Sequence, residues 1–238
     1  MEDFSGKSVL VTGAAGNLGT AVARAFLQRD ATLVLFDKHK ERCLEAFGDL
    51  RESPKHVIVP DIDLTSEQEV DRAVDKISSK LGTLDVLVNT VGGYKAGLMV
   101  EDTDLATWEF MLNLNARTTF LMSRAVIPLM KKRGSGSIVS ISTLAAIAGK
   151  PGMAAYIISK SAVIRLTESM SEELRPFNIN VNVILPNSID TPENRAQNPQ
   201  ADFSTWVTPA AIAEVIVFLA SPAGRAVHGA SIPVRGSG

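Results

Sequence analysis

The chain alternates short apolar runs with longer stretches in which apolar residues recur at helical spacing. The apolar runs are rich in β-branched residues and cover residues 8–12, 32–36, 56–60, 84–89, 137–142, 179–185 and, near the C-terminus, 231–234. Continuous apolar runs are typical of strands buried on both faces, as in parallel sheets with helical connections. The alternation therefore predicts an α/β fold built on a doubly wound parallel sheet of about seven strands.

The clearest helical pattern lies at residues 66–81, and it predicts a crossover helix. Ser66 and Glu69 have the spacing of a capping box at its start. Its apolar face consists of Val70, Ala73, Val74, Ile77 and Leu81. Two longer helices are predicted at 105–131 and 153–175, and their apolar content exceeds what one sheet face needs, which favours a homodimer or homotetramer.

Residues 191–209 show neither the apolar runs of the predicted strands nor the helical spacing of the predicted helices. They carry three prolines, two aromatic residues and several small polar residues. We interpret this segment as a substrate loop over a site, with a mobile linker as the alternative. No repeat or low-complexity linker divides the chain, so we expect one domain over residues 1–238.

Composition narrows the possible functions. With 45% hydrophobic residues the 238-residue chain can bury a large core, and its formal charge of −2 provides no field to attract a nucleic acid. One cysteine, Cys43, and three scattered histidines, His39, His56 and His228, offer no metal-ligand spacing. We find no run long enough for a membrane span and no signal-peptide pattern at the start, so we expect a cytoplasmic protein with no membrane partner.

A glycine-rich segment follows the first predicted strand. Gly13, Gly16 and Gly19 precede an apolar helix face, and Asp37 closes the second strand about twenty residues later. Glycines permit a tight turn and a close approach of a pyrophosphate to the helix N-terminus, and the carboxylate can accept hydrogen bonds from an adenosine ribose. The pattern predicts a dinucleotide cofactor. Asp37 would repel a 2′-phosphate, which favours NAD(H), while the neighbouring Lys38 acts in the opposite sense.

Tyr156 and Lys160 stand one helical turn apart. A phenol has an ordinary pKa of about 10, and an adjacent ammonium favours its phenolate. Together with the predicted strand that ends near Thr143, the pair predicts a proton-transfer centre.

From these motifs the sequence resembles the short-chain dehydrogenase/reductase family over essentially its whole length. The matching positions are 12–19, Asp63 with Leu64, 89–92, Asn115, Thr143, Tyr156 with Lys160, and 186–191. The resemblance implies a Rossmann-type domain and a small-molecule substrate. It assigns Tyr156 as general acid/base, Lys160 as the residue that holds the ribose and tunes the tyrosine, Thr143 as the hydroxyl that polarises the carbonyl, and Asn115 as the anchor of a water relay.

The same resemblance implies a set of cofactor contacts. Asp63 and Leu64 would lie at the adenine, Asn89 beside the cofactor, and Ile189 and Thr191 at the nicotinamide carboxamide. The full expected cofactor set is Gly13, Gly16, Asn17, Leu18, Gly19, Asp37, Asp63, Leu64, Asn89, Tyr156, Lys160, Ile189 and Thr191.

Three departures from the family pattern affect this interpretation. The family's serine lies thirteen residues before the tyrosine, where this chain has Thr143; the adjacent Ser142 is the alternative, and only one of the two can face the site. The middle glycine of the loop, Gly16, stands one position earlier than in most family members of this length. Thr90 and Asn187 replace the usual asparagine and glycine of two cofactor motifs.

A narrower resemblance concerns residues 149–153, 190–195 and 201–206, which look like the corresponding segments of dihydropteridine reductases. We therefore expect an NAD(H)-dependent oxidoreductase that transfers hydride between nicotinamide and a small carbonyl or alcohol. The alternatives are reduction of a quinonoid pterin and a non-catalytic NAD(H)-sensing regulator.

Overall fold

Seven parallel strands form one sheet in the order β3-β2-β1-β4-β5-β6-β7. The computed structural model describes residues 2–236. The strands are β1 (Ser8–Thr12), β2 (Thr32–Phe36), β3 (Val57–Val59), β4 (Val86–Asn89), β5 (Gly136–Ile141), β6 (Ile179–Pro186) and β7 (Ser231–Val234). The helices are α1 (Asn17–Leu27), α2 (Lys40–Phe47), α3 (Glu67–Leu81), α4 (Leu105–Met111), α5 (Thr118–Arg133), α6 (Ala154–Leu174), α7 (Pro192–Gln197) and α8 (Pro209–Ala220). The predicted doubly wound, Rossmann-type α/β fold is confirmed.

Helices cover both faces of the sheet, and alternate strand residues contribute to different cores. In β1, Val9 and Val11 belong to the core with α1 and α8, whereas Leu10 belongs to the core with α3 and α5. Burial on both faces explains why β1 is apolar at Val9, Leu10 and Val11 in succession rather than alternating.

The sheet reverses its winding between β1 and β4, which are adjacent. Thr12 and Asn89, the last residues of these strands, are paired. In open α/β sheets a ligand crevice forms outside the carboxyl ends of the strands at such a switch point. The glycine segment after β1 therefore opens directly into the expected binding crevice.

Two local predictions need correction. The helix predicted over 105–131 is divided into α4 and α5 by a π-helical turn, Leu112–Arg117. The capping box at α3 is only half formed: Ser66 accepts a hydrogen bond from the amide of Glu69, but the Glu69 carboxylate accepts from the amide of Asp63 at 2.9 Å. The preceding turn, which is invisible in the sequence pattern, competes for that carboxylate.

The substrate loop is a folded segment rather than a featureless one. It contains α7 and a short 3₁₀ turn at Phe203–Thr205, and Ile189 forms a parallel β-bridge with Val207 at its base. Within residues 2–236, no helix combines the length and apolarity needed to cross a bilayer.

Candidate active site

The glycine loop leaves the start of α1 open to an anion. Gly16 is the N-cap residue, makes no side-chain cap, and is followed by no acidic residue in the first helical turn. A Cβ on Gly19 would clash with the carbonyl group of Gly13, so only glycine lets the helix approach the loop this closely. The uncapped amides at this end of α1 suit the negative charge of a pyrophosphate.

Asp37 lies at the end of β2, buried beside the glycine loop. Its two carboxylate oxygens accept hydrogen bonds from the backbone amides of Ala15 and His39, each at 2.8 Å. A carboxylate offers roughly four acceptor positions, so capacity remains for ribose hydroxyls. The sequence pattern did not reveal that Asp37 also fixes the shape of the glycine loop.

A cleft of about 500 Å³ runs from Asp37 past the glycine loop to Gly92. We call it the cofactor cleft; the predicted residues that line it are Gly13, Gly16, Asp37, Asp63 and Leu64. The apolar Ile62 and Leu64 form one wall, as an adenine ring requires, and Lys38, His39 and Arg42 surround the end at Asp37. The uncapped helix, the glycine contact and this lining together fit an adenine dinucleotide.

Several predicted cofactor residues do not line the cleft. Asn89 is buried, and its amide nitrogen donates to the hydroxyls of Ser123 and Ser140. Leu18 and Gly19 are buried in the first turn of α1. Thr191 caps α7 through its side chain.

Asn115 is fully buried in the π-helical turn. Its Oδ1 accepts from the amide of Gly93 at 2.9 Å, and its Nδ2 donates to the Gly93 carbonyl at 3.1 Å and to Ser159 Oγ at 3.0 Å. Ser159 in turn donates to the Tyr156 carbonyl at 2.7 Å. Asn115 thus connects the loop after β4 to the helix that carries Tyr156. π-Bulges are frequent at functional sites, and this one gives the amide side chain its position.

Thr143 and Tyr156 line the same second cavity. Burial raises the pKa of the Tyr156 phenol above its ordinary value, and the nearby Thr143 hydroxyl lowers it by a smaller amount. Ser142 has a different task, because its hydroxyl donates to the Lys160 carbonyl at 2.8 Å and is buried. Of the two hydroxyls considered from the sequence, Thr143 is the one beside Tyr156.

Lys160 is buried one turn beyond Tyr156, and its ammonium donates to the Ile141 carbonyl at 3.0 Å. Burial lowers the pKa of Lys160 to about 8. In the chain by itself burial raises the pKa of Tyr156 and Tyr94 raises it further. The expected effect of Lys160 on that pKa stays a prediction.

The second cavity, about 450 Å³, is called here the substrate cavity. Thr143, Tyr156 and Ile189 line it at one end, and Trp206 of the substrate loop lines it as well. Tyr94 packs edge-on against Tyr156 with ring centroids 4.9 Å apart. A ligand atom in this cavity would meet the phenol and the Thr143 hydroxyl together, the arrangement needed to hold and protonate a carbonyl oxygen.

The substrate loop also contacts the glycine loop. Glu193 accepts a hydrogen bond from Asn17 Nδ2 at 2.7 Å across 176 residues of sequence. Sequence reasoning missed Glu193, Ser159 and Arg42. No sequence motif links Glu193 to Asn17 or Ser159 to Asn115. Arg42 could have been considered from the sequence, because it lies in the first helical turn after Asp37.

Comparison with known proteins agrees with this geometry. The profile of the family described as "short chain dehydrogenase" matches residues 7–202. A 3-oxoacyl-acyl-carrier-protein reductase of Thermotoga maritima is 32% identical over 241 residues, covering 98% of each chain. A cyclopentanol dehydrogenase of Comamonas testosteroni is 33% identical, covering 97% of this chain and 96% of the relative.

Among solved structures, NAD⁺-bound xylitol dehydrogenase has a TM-score of 0.90 at 28% identity, covering 98% of this chain and 99% of the xylitol dehydrogenase chain. A carveol dehydrogenase of Mycobacterium avium in complex with NAD has a TM-score of 0.88 at 26% identity, covering 98% of each chain.

Proposed function

This chain belongs to the short-chain dehydrogenase family and is an oxidoreductase, and we propose that it transfers hydride between NAD(H) and a small carbonyl or alcohol substrate, with Tyr156 as general acid/base. The observation that carries the proposal is the placement of Tyr156 beside Thr143 in a cavity at the carboxyl ends of the strands, next to the cofactor cleft. The family uses nicotinamide cofactors, and the structural neighbours above that contain NAD support the choice of NAD(H).

Different residues of this chain would bind different parts of the cofactor. Gly13, Gly16 and the start of α1 would hold the pyrophosphate, Asp37 the adenosine ribose, and Leu64 the adenine. Lys160, Asn115 and Ile189 would lie toward the nicotinamide half. When bound, the nicotinamide supplies or accepts the hydride.

Proton transfer belongs to Tyr156. Because burial raises the pKa of its phenol, the group is protonated at neutral pH and can donate to a carbonyl oxygen during reduction. Thr143 donates a hydrogen bond to the same oxygen and thereby stabilises the negative charge that develops there. In the oxidising direction the phenolate must accept the proton, so that direction requires a higher pH.

Asp37 supports NAD(H) over NADP(H). Its buried carboxylate is fixed by two backbone amides at the ribose end of the cleft, where a 2′-phosphate would meet a like charge. The positive charges of Lys38 and Arg42 oppose this effect, but both side chains are exposed, so solvent and salt weaken their attraction for a 2′-phosphate.

The test is a screen of NADH and NADPH oxidation over ketones, quinones and quinonoid dihydropterin. Turnover of a carbonyl substrate with NADH preferred supports the proposal, whereas preference for NADPH would show that the cationic residues outweigh Asp37. Activity with quinonoid dihydropterin would favour the second candidate, pterin reduction, which the position of Trp206 in the cavity wall supports.

Assembly is a further part of the proposal. Leu105, Phe110, Phe120 and Ile158, on α4, α5 and α6, expose apolar side chains that a second copy could cover. We propose a homodimer or homotetramer, which light scattering at micromolar concentration would test; a monomer would contradict it. One domain over residues 1–238 and a cytoplasmic location stay predictions.

A further inference from the structure

The wall of the substrate cavity carries a single charged side chain, that of Lys150, among the residues that the structure describes. The polar lining away from Tyr156 is otherwise uncharged: Asn187, Ser188, Asn194, Gln197, Asn198 and Trp206. The side-chain amides of Asn187, Asn194 and Asn198 already donate to backbone carbonyls, which leaves Gln197 and Trp206 as N–H donors. A ligand in this cavity therefore meets one positive charge and no negative one.

The acidic groups of the neighbouring loop are turned away from the cavity. Asp190 forms a two-pronged ion pair with Arg195, whose guanidinium also lies over the Phe203 ring at 4.7 Å from the centroid. Glu193 binds Asn17 at the glycine loop. Asp202, the remaining acidic residue of the loop, accepts hydrogen bonds from the amide and hydroxyl of Ser204. None of these carboxylates lines the cavity or pairs with Lys150.

Lys150 stands in the turn between β5 and α6. That turn is held in place by hydrogen bonds from the Met153 amide to the Lys150 carbonyl at 3.3 Å and from the Gly97 amide to the Gly152 carbonyl at 2.8 Å. The second bond joins the turn to the loop that carries Tyr94. None of the ion pairs found within residues 2–236 includes Lys150.

We propose that the substrate carries a carboxylate at some distance from its reacting carbonyl, and that Lys150 determines this specificity by pairing with it. The exposed ammonium of Lys150, among neutral side chains, favours an anionic group, and the Gln197 amide and the Trp206 indole supply further N–H donors to carboxylate oxygens. The single positive charge matches the single negative charge of a carboxylate.

This inference rests on the proposed function for its chemistry. In the reducing direction the carbonyl carbon gains a hydride and the oxygen gains a proton from Tyr156. Oxo acid, NADH and one proton thus give hydroxy acid and NAD⁺, and solvent restores the tyrosine proton. Lys150 takes part in binding and exchanges no proton or electron.

The test compares three oxo acids, acetoacetate, 4-oxopentanoate and 5-oxohexanoate, with their methyl esters as NADH-dependent substrates. We expect at least one acid to have a kcat/KM about tenfold or more above its ester, the ratio expected for one charge-assisted hydrogen bond. The preferred chain length reports the separation of Lys150 from the reacting centre. In Lys150→Met the advantage should disappear through a rise in KM, and Lys150→Arg should restore part of it. Lys132→Met, the same change of charge on an exposed part of α5, is the matched control and should keep the wild-type ratio.

Calorimetric titration of the acids and esters into the NADH complex separates this inference from the proposed function. Lys150-dependent binding of an acid without turnover would support the carboxylate site while contradicting the proposed reaction. Esters that bind and react as well as the acids, or an acid preference that survives in Lys150→Met, would overturn the inference. Absence of acid binding throughout the series would overturn it as well.

Discussion

Replacing Thr143 by valine tests the least conventional residue of the proposed mechanism. Valine keeps the β-branched shape and removes only the hydroxyl. That hydroxyl lies beside Tyr156 and lowers the pKa of its phenol, and it accepts a hydrogen bond, at 3.3 Å, from the amide of Ala145, where it caps a 3₁₀ turn. The substitution therefore removes one contact of the chemical step and one local cap.

The loss of the cap and the loss of the catalytic contact differ in magnitude and are detected by different measurements. Loss of a cap costs about 1 kcal/mol of folding free energy, which a domain stable by roughly 5–15 kcal/mol tolerates. A hydrogen bond to a charged group is worth about 1.5–3 kcal/mol, so kcat for reduction should fall about tenfold or more. Because Thr143 lowers the pKa of Tyr156, the pH midpoint for alcohol oxidation should also move upward in the variant.

Steady-state kinetics with NADH, the pH profile and the thermal midpoint should be measured together. Thr143→Ser should recover the rate, since the hydroxyl returns. Ser142→Ala should affect stability more than kcat, because the Ser142 hydroxyl is bonded to the Lys160 carbonyl in α6. An unchanged kcat and pH midpoint in Thr143→Val, or a larger loss of kcat in Ser142→Ala, would refute the assignment.

Four further outcomes are expected. Tyr156→Phe should lower kcat about 10²–10⁴-fold, the usual contribution of a positioned acid/base, and a fluorescence titration should show nearly unchanged NADH affinity; unchanged turnover would end the mechanism. Lys160→Ala should reduce both kcat and the affinity for NADH, because Lys160 would also hold the ribose. Unchanged kcat together with unchanged NADH affinity would contradict its role. Asp37→Ser should weaken NADH binding and raise the kcat/KM ratio of NADPH to NADH, since a like charge is removed; an unaltered ratio would exclude Asp37 as the discriminator. Glu193→Gln keeps the hydrogen bond to Asn17 but removes a negative charge near the pyrophosphate position, so the Kd for NADH should fall, most clearly at low salt, and a higher Kd would contradict this.

The regular elements were predictable because their causes are local. Residues 8–12 and 32–36 are apolar in their centres and almost entirely buried, and the predicted bounds of these two strands agree with the structure. The π-helical turn at Leu112–Arg117 was not predictable, since its sequence does not differ from that of an ordinary helix and the turn is held by the bonds of Asn115 to another loop. The choice of Thr143 over Ser142 followed from the family's thirteen-residue spacing to the tyrosine, and strand alternation indicated only that one of the two faces the site. The upward shift in the pKa of Tyr156 depends on burial that no spacing reveals.

Asn17 shows that some contacts in the site cannot be predicted from sequence motifs. As part of the glycine pattern it was expected to bind the cofactor through the loop, yet its side chain reaches Glu193 in α7. The partner lies 176 residues away, and neither residue has a periodic or motif-based signal that names the other. Contacts of this kind depend on how the substrate loop folds, which in turn depends on pairs such as Asp190 with Arg195.

Gly92 explains how the cofactor cleft and the proton-transfer centre are kept close together. A Cβ at this position would lie 2.6 Å from Lys160 Nζ and 2.9 Å from Asn115 Oδ1, so a side chain would displace both polar groups. Gly92 also lines the cofactor cleft. The backbone of Gly92 therefore lies next to both the cofactor cleft and the Lys160 ammonium. Because Asn115 holds the adjacent Gly93 through two hydrogen bonds and reaches the backbone carbonyl of Tyr156 through Ser159, this loop is connected to the first turns of the helix that carries the phenol.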